Sequence, residues 1–366
     1  MATKINEQAI NAAVSMFDFT GTFVSHHPLG NGHINNTFLV KCITDDKKEI
    51  CYVLQAINSE VFKRPDFVMD NIAKVTSFLK EKMPDSSHTM SFVLTKDGSS
   101  LYHDSFNNYW RMYEYITDSI CLELPETTKD FYESAYAFGE FQRYLNDFPA
   151  EELYETIPDF HNTPKRYKDF LEAVENNVSS RAEAVKDEIE FVKSREKFYS
   201  VLFDENKAGN LPIRVTHNDT KMNNVMLNKT DRKALCVIDL DTIMPGFSVT
   251  DFGDAIRFGA STAAEDEPDI SKVQLNLEMF DIYTKGFLDG CGGMLSKEEI
   301  MLLPEGAKMM TIECGMRFLG DYLNGDTYFK INYPEHNLVR CHTQFKLVEE
   351  MEKHWDEMKQ IVKKYI

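Results

Sequence analysis

Thr216-His217-Asn218-Asp219-Thr220-Lys221-Met222-Asn223-Asn224, followed by Val237-Ile238-Asp239-Leu240-Asp241, is the stretch of this 366-residue chain that says most about its fold. A polar loop lies between short apolar runs, and a second carboxylate, at the end of an expected strand, follows the first by 20 residues. Phosphoryl transfer needs this inventory. One carboxylate orients or deprotonates an attacking hydroxyl, while an amide oxygen and a second carboxylate hold Mg²⁺ between phosphate oxygens. Hard oxygen donors favour Mg²⁺ over zinc. The plain alternative is that Asp219 and Asn224 cap a turn and Asp239 caps a helix.

Upstream of the loop the pattern is first that of strands. After a helix-like segment near residues 6–17, the β-branched and apolar runs 22–29, 34–44 and 50–57 are separated by Gly30-Asn31-Gly32-His33 and Asp45-Asp46-Lys47-Lys48, which predicts two hairpins sharing a middle strand. Residues 66–83 have helical spacing, and 90–94 and 109–116 read as further strands, with Arg111, Tyr113 and Tyr115 alternating with Trp110, Met112 and Glu114. From Thr127 the period changes to that of helices, at Phe131, Ala135, Phe138, Phe141 and Leu145, then over 166–174, 188–202, 275–288, 297–318 and 339–365. Short strands over 211–216, 225–227 and 234–240 interrupt them. The expected architecture is α+β and bilobal. A small antiparallel sheet lobe with one internal helix spans residues 1–116, and a larger, mostly helical lobe spans 117–366, with the site in the cleft between them.

Composition narrows the function. With 43% hydrophobic and 12% aromatic residues the chain can offset the entropy of ordering, so a globular body is expected. A formal charge of −19 repels nucleic-acid phosphates and anionic membranes, so neither is an expected partner. No apolar run is long enough to span a bilayer, and the amino terminus lacks a secretory pattern, so a soluble, cytoplasmic protein is expected. The seven cysteines are scattered without a CxxC pair, as expected of idle thiols in a reducing compartment.

His217-x-Asp219-x4-Asn224 with downstream Asp239 resembles the catalytic loop and metal-binding aspartate of the protein-kinase-like superfamily, in its aminoglycoside and choline phosphotransferase branch. The resemblance implies a bilobal protein-kinase-like fold, ATP as cosubstrate with Mg²⁺, Asp219 as the base, Asn224 and Asp239 as metal ligands, and His217 as a residue that shapes the loop. Asp241, two positions on in the expected strand, points to the same side as Asp239 and is either a second metal ligand or a solvated carboxylate. Thr250-Asp251-Phe252-Gly253-Asp254 contains the letters DFG, but Asp251 lies 27 residues beyond Asn224 whereas Asp239 lies 15 beyond it. Asp251 is therefore expected to brace the loop or cap a helix.

The nucleotide side is less orthodox. Gly30, Asn31, Gly32 and Asn35 belong to a hairpin that either covers the nucleotide phosphates with backbone N–H groups or is a plain turn. Gln55 occupies the third-strand position where most of the superfamily has its phosphate-binding lysine. That departure implies either a silent nucleotide- or sugar-binding module or an active enzyme that holds phosphates by Mg²⁺, the loop backbone and a nearby cation. Tyr113-Glu114-Tyr115-Ile116 is the expected hinge, its extended backbone meeting an adenine edge.

Longer blocks, namely Thr216–Lys221, Ile238–Gly246, Asp251–Asp254, Arg257–Thr262, Glu313–Leu319 and Tyr333–Arg340, resemble the N-acetylhexosamine 1-kinases of gut bacteria. Those enzymes phosphorylate the anomeric hydroxyl of N-acetylglucosamine or N-acetylgalactosamine, and Gln55 also fits their pattern. The resemblance implies that Asp219, Lys221 and Asn224 face the sugar, that Arg317 reaches the sugar or the transferring phosphate, and that Tyr328 lines the acceptor pocket. Lys221 aims at the γ-phosphate in the protein-kinase analogy. On the residues alone, the alternatives are that Arg317 is a buried structural ion-pair partner and Tyr328 a core residue. The competing acceptor class is a cation such as choline or an aminoglycoside, whose pocket calls for carboxylates and aromatic faces.

Overall fold

The computed structural model describes residues 5–30, 34–83 and 89–366. Helix α1 (Glu7–Met16) is capped by Asn6, whose side chain accepts the Ala9 N–H. Strands β1 (Thr22–Pro28), β2 (Asn36–Ile43) and β3 (Glu49–Ile57) pair antiparallel as two hairpins. Helix α2 (Pro65–Lys82) follows; its proline sits in the first turn, where a missing N–H costs nothing, and Val68, Met69, Ile72, Val75 and Leu79 form its buried face. Strands β4 (Phe92–Val93), β5 (Tyr102–His103) and β6 (Tyr109–Glu114) complete a sheet ordered β1-β2-β3-β6-β4, with β5 also on β6. The strand expected over 90–94 thus shrinks to two residues.

Alternation along β3 and β6 decides what reaches the cleft. Tyr52, Leu54, Ala56, Trp110 and Met112 bury themselves under α1. The intervening Gln55, Arg111 and Tyr113 therefore point to the opposite face.

The second lobe begins with β7 (Ser119–Ile120) and α3 (Thr128–Tyr144), the latter started by a Thr127–Asp130 capping box. Helices α4 (Thr163–Asn176), α5 (Lys186–Lys193) and α6 (Val201–Lys207) lead to β8 (Arg214–Thr216), β9 (Val225–Asn228), β10 (Ala234–Val237) and β11 (Met244–Gly246). Then come α7 (Ser248–Gly259), α8 (Leu277–Cys291), α9 (Lys297–Met301), α10 (Leu303–Leu323), α11 (His336–Lys353) and α12 (Trp355–Lys363). Apolar on nearly every side, α10 is the buried axis of this lobe. It meets α7 where Gly253 and Gly306 touch: a Cβ on Gly253 would lie 2.3 Å from the Gly306 carbonyl oxygen. The glycine of the DFG letters is thus a helix-packing residue.

Three long helices expected from periodicity are divided. The segment 188–202 becomes α5 and α6 with a 3-10 turn at Glu196–Phe198 between them. The segment 297–318 restarts after Leu302, because Pro304 has no N–H to continue α9. The segment 339–365 starts earlier, at His336, and breaks at His354, whose backbone (φ −100°, ψ 21°) leaves the helical region. The strand expected over 234–240 ends at Val237, since Asp239 adopts a left-handed conformation (φ 59°) and Leu240–Thr242 form a 3-10 turn. Asp241 therefore stands on a turn, not on a strand beside Asp239. No helix among the described residues is long and apolar enough to cross a membrane.

Candidate active site in the interlobe cleft

The polar loop after β8 is held from below by helix α7. Asp251 accepts the backbone N–H of His217 at 2.9 Å and of Asn218 at 2.8 Å, and Asp254, one turn on, accepts that of Thr220 at 3.0 Å. Two carboxylates on one helix face thus satisfy three loop N–H groups that have no strand partner. Gln142 on α3 donates to Asp251 at 2.7 Å, and Arg257 compensates Asp254 at 3.0 Å. Asn218 itself has φ 65°, a conformation asparagine tolerates, and its amide donates to the Thr242 carbonyl at 2.8 Å.

Fully buried, His217 lies edge-on to Phe138 and Phe141. Its Nε2 bonds the Ile238 carbonyl at 2.9 Å, which makes Nδ1 the acceptor for the Asp219 N–H at 3.3 Å. This ring ties the loop to the strand that delivers Asp239.

Asp219 is half-buried and faces Lys221, Nζ to Oδ1 2.9 Å. Asn224 donates its amide to the Asp219 carbonyl oxygen at 2.7 Å and to Oδ2 at 3.2 Å. Enclosure alone would raise the Asp219 carboxyl, but Lys221 and the Asn224 amide outweigh it and hold the group below the usual carboxylate range. Lys221 is correspondingly held protonated, chiefly by Asp219.

The Asn224 carbonyl accepts the Ile238 N–H at 2.9 Å, which sets Asp239 beside Asn224. The Asp239 carboxylate has no hydrogen bond or ion pair among the described residues. Water reaches it from the cleft mouth, yet protein surrounds it at depth. That enclosure, then Asp241 and Asp219, push it up to about 7. A carboxylate raised by its neighbours and left unpaired, next to an amide oxygen that accepts nothing, fits a hard divalent cation. No group of three His, Cys, Asp or Glu among the described residues is arranged to hold a metal, so such an ion would draw further ligands from phosphate and water.

Asp241 is differently employed. It forms a buried ion pair with Arg111 from β6, and its other oxygen accepts the Asn35 amide at 2.7 Å. Gln55 faces Arg111 in register and takes its Nε and Nη2 at 2.9 and 2.7 Å, while donating to Thr37 at 3.0 Å. Each Asp241 oxygen thus already accepts a hydrogen bond within the protein. Gly30 has φ 71°; Asn31 and Gly32 of the expected covering loop lie outside the described residues. At the expected hinge the Glu114 and Tyr115 N–H groups already donate to Ser91 and Cys51 at 2.9 and 3.2 Å. The half-buried Tyr113 ring packs on Phe92 at 5.7 Å.

The far end of the cleft is built around Arg317 on α10. Its guanidinium lies 5.4–5.7 Å from the rings of Phe160, Tyr328 and Phe329 and 3.4 Å from the Tyr328 hydroxyl, without a carboxylate partner among the described residues. It is not a structural ion-pair partner. Tyr328 is 64% exposed, not core, and Asp321 fixes its turn by accepting the Thr327, Tyr328 and Phe329 N–H groups at 2.8–2.9 Å. His161 links this end to the loop, bonding Glu313 at 2.9 Å and the Asn218 carbonyl at 3.1 Å. Arg166 stands nearby, held by the Phe160 carbonyl at 3.1 Å, its acidity raised by burial and by Arg317.

Sequence reasoning missed Arg111, His161 and Arg166. Only Arg111 left a trace, in its alternation along β6.

Comparison with known proteins gives the same outline. Residues 26–283, more than half of the chain, match the model of a phosphotransferase enzyme family. Among solved structures, an aminoglycoside phosphotransferase from Alicyclobacillus acidocaldarius is similar over 100% of this chain and 98% of its own, at 11% identity and a TM-score of 0.64. A microcompartment-associated aminopropanol kinase is similar over 97% and 99%, at 14% identity and a TM-score of 0.62. An amicoumacin kinase in complex with AMP-PNP and Ca²⁺ is similar over 98% and 94%, at 10% identity and a TM-score of 0.55. At these identities the likeness carries the protein-kinase-like fold.

Proposed function

We propose, since the chain belongs to the phosphotransferase enzyme family, that it transfers the γ-phosphate of ATP to the anomeric 1-hydroxyl of an N-acetylhexosamine such as N-acetylglucosamine or N-acetylgalactosamine. The transfer to an alcohol rests on family membership. The choice of acceptor rests on one observation: the acceptor end offers Arg317, unpaired and framed by Phe160, Tyr328 and Phe329, with Arg166 beside it. The neighbouring carboxylates Glu313, Asp254 and Asp321 are already spent on His161, Arg257 and backbone N–H groups. Such a pocket repels an aminoglycoside or an amino alcohol and suits the hydroxyl and acetamido oxygens of a neutral sugar.

In this reading Asp219 accepts the hydroxyl proton. Its lowered basicity makes it an orienting acceptor that takes the proton late, which the relatively acidic anomeric hydroxyl permits. Lys221, within reach of Asp219, swings to the transferring phosphate, while Asn224 and Asp239 would hold Mg²⁺. Bound there, Mg²⁺ neutralises the phosphate oxygens. Most of the rate then comes from positioning. Residues 1–116 form the nucleotide lobe and 117–366 the catalytic and sugar lobe, with Gly30, Asn35 and Ile116 bordering the nucleotide and Arg317 and Tyr328 the sugar.

The test is ADP release with Mg²⁺–ATP and a panel of N-acetylhexosamines, choline, ethanolamine and aminoglycosides. N-acetylhexosamines should be consumed, and Arg317→Ala should raise their KM by about tenfold or more, the size expected for losing a charge-assisted hydrogen bond. Preferential turnover of the amines would exclude the sugar reading.

A further inference from the structure

We propose that Arg111 supplies the cation for the nucleotide phosphates, moved one strand over from β3 to β6, with Asp241 as its counter-ion and Gln55 as its support. The inference rests on the kinase reading above.

Gln55 on β3 and Arg111 on β6 are direct antiparallel partners, so their side chains rise from the same face about 5 Å apart at Cβ. A guanidinium launched from β6 therefore reaches the volume that a lysine launched from β3 would fill. Gln55 favours this exchange, because its single amide oxygen takes both Nε and Nη2 of Arg111, at 2.9 and 2.7 Å, and its NH₂ is anchored to Thr37 at 3.0 Å. The planar fork is thus oriented before any ligand arrives.

The counter-ion comes from an unusual place. Protein kinases pair the phosphate-binding lysine with a glutamate of the helix inserted in the sheet. Here α2 presents Met69 to Arg111, with the sulfur 3.9 Å from Nη1, and the neighbouring Asn71 is spent on the Tyr154 and Ile243 carbonyls at 2.8 and 3.0 Å. Asp241, two residues beyond Asp239, takes the glutamate's part and also holds Asn35, at the edge of the covering hairpin. One carboxylate thereby ties the cation and the hairpin to the turn that carries Asp239.

Two further facts point to a ligand. Of the five N–H donors of Arg111, oxygen acceptors take three: Nε and one Nη2 hydrogen on Gln55, and one Nη1 hydrogen on Asp241. The second Nη1 hydrogen faces the Met69 sulfur at 3.9 Å, which leaves one Nη2 hydrogen for a phosphate oxygen. A buried ion pair also contributes little stability compared with apolar residues of like volume, so holding the fold together is a poor reason for this one. Two other cations of the sheet lobe are already paired, Lys41 with Glu49 and Arg64 with Asp66.

The experiment compares adenosine, Mg²⁺–ADP and Mg²⁺–ATP binding by calorimetry on the full chain, with turnover measured alongside. The double variant Arg111→Met/Asp241→Asn removes both charges together, so no buried ion is orphaned. It should bind adenosine as the parent does and Mg²⁺–ADP and Mg²⁺–ATP about tenfold or more weakly, the size of a lost charge-assisted contact. A second variant, Gln55→Lys/Arg111→Gln, returns the cation to β3 and should recover most of the loss. The proposal is overturned if the first variant binds Mg²⁺–ATP within twofold of the parent, or if adenosine weakens as much as Mg²⁺–ADP, which would make Arg111 a fold element. Those outcomes leave the kinase reading standing. A parent that binds no Mg²⁺–ATP and transfers no phosphate would overturn both.

Discussion

Replacing Asp251 by asparagine probes how the catalytic loop is held, and the structure sets the size of the effect. The carboxylate serves three donors: the Asn218 N–H on one oxygen, and the His217 N–H and the Gln142 amide on the other. The introduced amide keeps one oxygen. Gln142 can adapt, because its own Oε1 is buried without a partner and would accept from the new NH₂ after the Gln142 amide turns over. A backbone N–H cannot turn over. One of the two, at His217 or Asn218, is left facing a donor in a buried site. An orphaned buried N–H costs about 1–3 kcal/mol, and exchanging a charged for a neutral acceptor at the other adds about 1 kcal/mol, so Asp251→Asn should destabilise by roughly 2–4 kcal/mol. Urea denaturation reads this as a lower midpoint at unchanged slope. Because the unsatisfied group lies next to Asp219, kcat should fall more than tenfold while nucleotide affinity changes little. A loss below about 0.5 kcal/mol with full kcat would refute the claim that α7 holds the loop.

Three other outcomes follow from the same geometry. Asp219→Asn should abolish turnover, measured by ADP release, and leave Mg²⁺–ATP affinity near that of the parent, since this carboxylate addresses the acceptor hydroxyl. Asp239, raised to about 7, must be ionised to bind a metal, so Mg²⁺-dependent nucleotide affinity should decline as pH falls below about 7. The folded protein also holds the Asp239 proton in a range where the unfolded chain, with an ordinary value of 3.8, has lost it, so this group lowers stability as pH rises through that window. Asp239→Asn should therefore melt higher than the parent at pH 8 while losing metal-dependent nucleotide binding, both readable by thermal shift. Gly253→Ala should destabilise by about 1–3 kcal/mol, because its methyl would meet the Gly306 carbonyl oxygen at 2.3 Å and push α7 off α10, as chemical denaturation would show.

Much of the fold was legible because its signals are local. The hairpins β1–β2 and β2–β3 followed from polar turns between alternating runs, and the change of period at Thr127 marked the second lobe, where a capping box starts α3. Helix breaks were harder to read. Pro304 interrupts a segment whose apolar spacing continues on both sides, and the kink at His354 leaves no mark in periodicity.

At the site, the spacing of Asp219, Asn224 and Asp239 anticipated that they lie together, as the Asn224–Asp219 and Ile238–Asn224 hydrogen bonds place them. Asp241 was misplaced because strand alternation was extended through Asp239, whose left-handed backbone turns the chain and sends Asp241 to Arg111. Arg111 could be found only through the β3–β6 pairing, which joins residues 56 positions apart in the chain. Likewise His161 and Arg166 reach the Arg317 end of the cleft through tertiary packing, with no motif around them. The formal charge of −19 gave no hint of a cleft that carries Lys221, Arg111 and Arg317.

The central claim is that this phosphotransferase acts on the anomeric hydroxyl of an N-acetylhexosamine. Phosphorus NMR of the product formed from Mg²⁺–ATP and N-acetylglucosamine or N-acetylgalactosamine tests it most directly. The account predicts a phosphomonoester whose phosphorus couples to the anomeric proton, absent with Asp219→Asn. Phosphate on any other sugar hydroxyl, or on an amine-bearing acceptor while both sugars stay unmodified, would contradict it.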